Sequence, residues 1–160
     1  MAKKNVSLRI SNKQFSESIR PTEAAFEKQL NLEDEVEIWT EATLYSSKDK
    51  PTCIMYDELN EEGSGSTRTL IRLNDGTLEV KHFGGNEDEN DKIDLHLEKG
   101  VMNITRYVTP MSRMDLQIYT NELSDTTDEE GYGKISADYS IRFDKFVSTR
   151  NKLEIEIKPS

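Results

Sequence analysis

Along this chain apolar residues return at every second position in short runs, and each run is cut off by Gly, Asn, Asp, Ser or Pro. Ile93, Leu95 and Leu97 alternate with Asp94, His96 and Glu98; Leu153, Ile155 and Ile157 alternate with Glu154, Glu156 and Lys158; Val6, Leu8 and Ile10 alternate with Ser7, Arg9 and Ser11. A period of two is that of a half-buried strand, because successive side chains leave a strand on opposite faces. The same texture covers nearly the whole chain, which argues an antiparallel all-β barrel or sandwich.

The longest such stretch is Gly100 to Leu123, two strand-like runs joined at Thr109-Pro110, where the missing proline N–H must break, bulge or turn the ladder. Thr67–Leu73 and Thr77–Phe83 flank Asn74-Asp75-Gly76, the firmest hairpin signal, since a glycine there supplies the positive φ of a tight turn. Lys48-Asp49-Lys50-Pro51 and Lys99-Gly100 read as turns. Glu61–Ser66, Gly84–Asp91 and Ser124–Gly133 read as exposed connections. One segment leaves the pattern: in Ser18–Leu30, Pro21 suits a first helical turn and Phe26 and Leu30 stand four apart, so a short helix is expected near the N-terminus, over Thr22 to Leu30. The expected fold is a single domain over residues 1–160, an up-and-down barrel of about ten strands, whose closure removes exposed edges.

Charge and cysteine usage narrow the partners. Lys plus Arg number 21 against 31 Asp plus Glu, a net charge of −10 with no basic run, so neither nucleic acid nor an anionic membrane surface is expected as a partner. No apolar run is long enough for a membrane-spanning helix, and the N-terminal stretch alternates where a signal peptide would be continuously apolar. Cys53 is the only cysteine, so no internal disulfide forms, and a cytoplasmic location is expected. No cofactor or metal is expected. His82 and His96 have no zinc-ligand spacing, the run Glu87–Asp91 lacks the spacing and glycine of a calcium loop, and no nucleophile elbow or phosphate-binding loop is present.

The residues with the most chemistry to offer sit among apolar neighbours of the same parity. Arg106 shares parity with Met102, Ile104 and Val108, and a guanidinium among apolar side chains must be paired or reach water. Parity leaves two readings for it: an interior anchor for a ligand carboxylate or phosphate, or a residue outside the barrel or paired with a carboxylate such as Glu58. Arg72 follows Leu70 in the same way, and Tyr56, His82 and Tyr139 are the remaining candidates by the same logic.

Arg106-Tyr107-Val108-Thr109-Pro110 with Thr120 downstream, Glu41-Ala-Thr-Leu44, Met55-Tyr-Asp-Glu58, the Asn74-Asp75-Gly76 hairpin, Gly133 to Tyr139 and Asn151 to Ile157 resemble, in order and over most of the chain, the YwiB-like family of bacterial proteins, a domain of unknown function. The chain departs from that pattern at Met111-Ser112 and at His82-Phe83-Gly84. The resemblance implies a calycin-like, that is lipocalin-like, β-barrel and no defined reaction. Three functions fit: a barrel holding a small amphipathic or anionic molecule, with Arg106 as anchor; a filled barrel that binds a protein partner through its surface; or, with least support, an enzyme using His82, Glu58 and Tyr139. The oligomeric state is open.

Overall fold

The structure, a computed structural model, describes residues 2–21, 23, 25–47, 50–59, 66–84, 93–108, 113–143 and 148–160. Ten strands follow one another: β1 (Ala2–Pro21), β2 (Phe26–Ser47), β3 (Lys50–Leu59), β4 (Ser66–Asn74), β5 (Thr77–Gly84), β6 (Leu95–Glu98), β7 (Met102–Val108), β8 (Arg113–Asp125), β9 (Gly133–Arg142) and β10 (Ser148–Pro159). They form one sheet in the order β6-β5-β4-β3-β2-β1-β10-β9-β8-β7, and each of these neighbouring pairs is antiparallel. Every step of the chain is therefore to an adjacent strand except β6 to β7, which stand at the two ends of the sheet. The first and last strands pair directly, Leu8 opposite Ile157 and Ile10 opposite Ile155.

The two ends of the sheet meet at the turn between β6 and β7. The Val101 amide donates to the Glu98 carbonyl (3.0 Å), the Gly100 amide donates to the Thr120 carbonyl on β8 (2.8 Å), and Lys99 pairs with Thr120. One step along, the Asn103 side chain donates from Nδ2 to the His96 carbonyl (3.0 Å), a side-chain bond where a ladder bond would otherwise run. A bulge between Thr120 and Glu122 bends β8 at this corner. Among the described residues β6 and β7 share no ladder. A second opening follows the last β2–β3 pair toward the other end, Thr43 opposite Met55, after which β2 pairs only with β1. The result is a nearly closed barrel.

Register fixes which parity is inside. Val6, Leu8, Leu44, Ile54, Ile71, Leu78, Leu97, Leu116, Ile118, Ile135, Ile155 and Ile157 point inward and are fully buried. At about 25 cal/mol per Å2 of apolar surface removed from water, each contributes roughly 1.5–3 kcal/mol, which makes this tier the principal source of stability. The outer face carries ion-pair networks across strands. Arg9 gathers Glu37 of β2 (3.1 Å) and Glu154 (2.6 Å) and Glu156 (3.1 Å) of β10, so one guanidinium spans three strands. Arg150 forks onto Asp138 with bonds of 2.8 and 2.9 Å, joining β10 to β9.

The Asn74–Gly76 hairpin forms as expected, Asn74 pairing with Thr77 around Asp75-Gly76, with Gly76 at φ 76°. The expected N-terminal helix does not form. β1 runs to Pro21 and β2 starts at Phe26, with pairs from Glu17–Leu30 to Pro21–Phe26, and there is no helix among the described residues. Positions four apart share a strand face as well as a helix face, and a helix this short is marginal in water, whereas extension of the β1–β2 hairpin gives each residue a cross-strand partner. Thr22 and Ala24 lie outside the described residues, as do Lys48-Asp49, residues 60–65, residues 85–92 and the expected break at Thr109-Pro110 with Met111-Ser112.

Candidate functional site

The inward parity does not stay apolar. Above the aliphatic tier it turns polar on two walls at once. On one wall Tyr56 of β3, Thr69 of β4 and His82 of β5 are consecutive cross-strand partners. On the other, Gln14 of β1, Asn151 of β10, Tyr139 of β9 and Thr120 of β8 form a row in the same sense. In the order of the sheet, β4 and the β10–β9 pair stand about half a circuit apart, so the two rows face each other across the lumen.

Between them lies a cavity of about 320 Å3. Its wall is apolar below and toward the β6 and β9 sides, from Ile10, Ile71, Val80, Leu95, Ile141, Phe143, Leu153 and Ile155, with Ile93 beside them. Its polar lining is Asn12, Gln14, Tyr56, His82, Tyr139, Thr149 and Asn151. None of the described residues lining it is Asp, Glu, Lys or Arg. A space of this size falls at the lower end of the roughly 300–1,000 Å3 of ligand sites.

The polar groups are partly committed to one another. Thr69 Oγ1 lies 3.1 Å from His82 Nδ1, and the Asn151 amide donates to Thr149 Oγ1 (3.3 Å). Two atoms are not: Asn12 Oδ1 and Thr120 Oγ1 are buried without a hydrogen-bond partner. Burial pushes the Tyr139 phenol far above its ordinary range and raises that of Tyr56, the latter opposed by its hydrogen bond to Thr69, so both stay protonated donors at any physiological pH. Burial also lowers the His82 pKa, opposed by Asp94, whose carboxylate accepts from the His82 backbone amide at 2.9 Å.

That direction carries a pH prediction. A histidine whose folded pKa lies below the unfolded value leaves stability intact above about 6.5; stability is then lost as the pH falls from there to the folded pKa, because the unfolded chain binds the proton more readily. Urea midpoints between about pH 7.5 and 5, a range above most carboxylate titration, should fall for the native sequence and fall less for His82→Gln. Parallel slopes for the two proteins would remove His82 as the cause.

Both arginines lie outside. The inward residues of β7 are Asn103, Thr105 and Tyr107, while Met102 and Ile104 are 51% and 64% exposed, so Arg106 points away from the lumen and its Nε lies 3.6 Å from Asp115 Oδ1 on β8. The interior-anchor reading of Arg106 is thereby corrected. The apolar parity of this strand at the seam is its outer one, and a charged side chain on that face reaches water without a desolvation cost. Arg72 likewise faces out, beside Glu79 at 3.9 Å. Tyr56, His82 and Tyr139 do come together at the cavity. Glu58, grouped with His82 and Tyr139 in the enzyme reading, is not in its lining. Asn12, Gln14, Thr69, Thr120 and Asn151 were missed, although each continues an inward apolar series, as in Val6-Leu8-Ile10-Asn12-Gln14.

A larger hollow of about 570 Å3 lies on the outer face, lined by Arg9, Lys13, Glu37, Asp138 and Glu154 among others. Its charges satisfy each other: Glu37 and Glu154 both bind Arg9, and Glu154 also binds Lys134 at 3.0 Å. Among the described residues no cluster of three or more His, Cys, Asp or Glu is placed to hold a metal ion, and no helix is long and apolar enough to cross a membrane.

The profile of the family described as "Domain of unknown function (DUF1934)" matches residues 23–155. The chain belongs to this family. Its fold is that of the crystal structure of ywiB protein from Bacillus subtilis, which matches with a TM-score of 0.65 over 98% of this chain and 93% of that one, at 17% sequence identity. No curated protein matches the chain. The DUF1934 match spans the cavity-lining residues of β3, β4, β5, β6, β9 and β10, while β1, which contributes Ile10, Asn12 and Gln14, lies wholly before it.

Proposed function

We propose that this DUF1934 protein is a binding module that holds a small amphipathic molecule inside a calycin-like barrel in the cytoplasm, with no chemistry performed on it. One observation carries the reading: a cavity of about 320 Å3 in which an aliphatic floor meets two facing polar rows. Apolar walls with a few convergent polar groups are the common make-up of small-molecule sites. Tyr56, His82 and Tyr139 are the proposed ligand contacts, joined by Asn12 and Asn151. Arg106 and Arg72, which face out, have no part in it.

Native mass spectrometry of gently purified protein tests this. The expected spectrum shows a defined added mass that disappears on denaturation. Bare sequence mass, together with no shift in melting temperature on adding small amphiphiles, would overturn it. A second reading, a module that binds a protein partner through its surface, rests on the outer face of β7 and β8, where Met102, Ile104 and Tyr119 are 51%, 64% and 43% exposed.

A further inference from the structure

Resting on the reading of the barrel as a small-molecule binder, we infer that the ligand carries an uncharged head that donates a hydrogen bond, a carboxamide or hydroxyl, above a short apolar tail, and that carboxylates, phosphates and amines are excluded. The assignment follows from what the polar tier contains and lacks.

Asn12 Oδ1 is buried at the cavity with no hydrogen-bond partner from the protein. An acceptor left so costs free energy until a donor reaches it, and a ligand N–H or O–H supplies one. A carboxylate or phosphate has no hydrogen to give and would set its own charge against this oxygen. No cation among the described lining residues would offset that charge, because Arg106 and Arg72 lie on the outer face. An ammonium would satisfy Asn12 but finds no carboxylate among the described lining residues to balance it. A charge of either sign would thus be desolvated without a counter-charge, the most expensive kind of burial. The facing rows complete a neutral head's needs. Tyr56 and His82 on one wall and Asn151 and Tyr139 on the other offer donors and acceptors without net charge, and Ile71 and Ile155 below accept the tail.

Isothermal calorimetry on the full chain with octanamide, octanoate and octylammonium, at pH 7.5, decides it. These probes share a tail and differ in the head. Octanamide should bind at least about tenfold more tightly than either charged probe, and Asn12→Leu should weaken octanamide by about tenfold while leaving octanoate unchanged. If octanoate or octylammonium binds as tightly as octanamide, the neutral-head assignment is overturned and the binding role of the cavity stands. If none of the three binds, the binding role falls and the assignment with it. The probe comparison on the native sequence stands even where Asn12→Leu fails to fold.

Discussion

Replacing Gly133 by alanine is expected to destabilise the barrel by about 2–4 kcal/mol, one of the largest effects of any single methyl group in the chain. Gly133 opens β9 with φ 141°, a conformation that residues with a side chain rarely adopt. A Cβ there would lie 2.7 Å from the Thr126 carbonyl oxygen and 2.8 Å from Thr127 Cα, both backbone atoms that cannot rotate away. Thr126 is held in place in turn, its amide and its hydroxyl both donating to the Lys134 carbonyl at 2.9 and 3.0 Å. Relief of the clash therefore breaks bonds that close the β8–β9 connection. Gly76→Ala is the control: its φ of 76° is also unfavourable, but nothing lies within 4 Å of an added Cβ, so it should cost only about 1 kcal/mol. Urea unfolding of both variants with unchanged m-values measures the difference. Equal losses at the two positions would show that the contact with Thr126 yields freely.

The barrel was legible because its evidence is local. Alternation in Val6–Ile10, Ile93–Leu97 and Leu153–Ile157 reports one buried face, and Asn74-Asp75-Gly76 reports a turn; neither needs knowledge of distant strands. The helix expectation failed where two periods coincide, since the spacing of Phe26 and Leu30 fits a strand as well, and the deciding information was pairing with β1, which is not local. The anchor expectation failed for a related reason. Hydrophobic parity identifies the inner face only where the outer face is polar, and β7 breaks that rule by exposing Met102 and Ile104. Tyr56, His82 and Tyr139 were found individually, but the two facing rows were not, because a row is a property of register. Which of Gln14, Asn151, Tyr139 and Thr120 are neighbours depends on four strands and a bulge. What sequence did offer was a weaker sign: polar residues that continue an inward apolar series.

Val80→Trp should abolish retention of a ligand and weaken octanamide binding by at least about 100-fold, with a small effect on folding. Val80 lies on β5 with Ile71 of β4 and Leu95 of β6 as its cross-strand partners, and all three line the cavity. An indole at that position enters the empty volume rather than a packed core. Overpacking normally costs about 1–3 kcal/mol because neighbours must move off their rotamers, and here the burial of new apolar surface offsets much of it. Stability and binding are thereby separated, which truncation of a lining residue would not achieve. Ile104→Trp, on the outer face of β7 where the side chain is 64% exposed, adds comparable bulk away from the lumen and should leave retention intact. The two variants divide the interior reading from the surface one. Loss of the bound mass in Val80→Trp alone places the ligand between the polar rows, whereas loss in Ile104→Trp alone places the working surface on β7 and β8, with the cavity left without a role in binding.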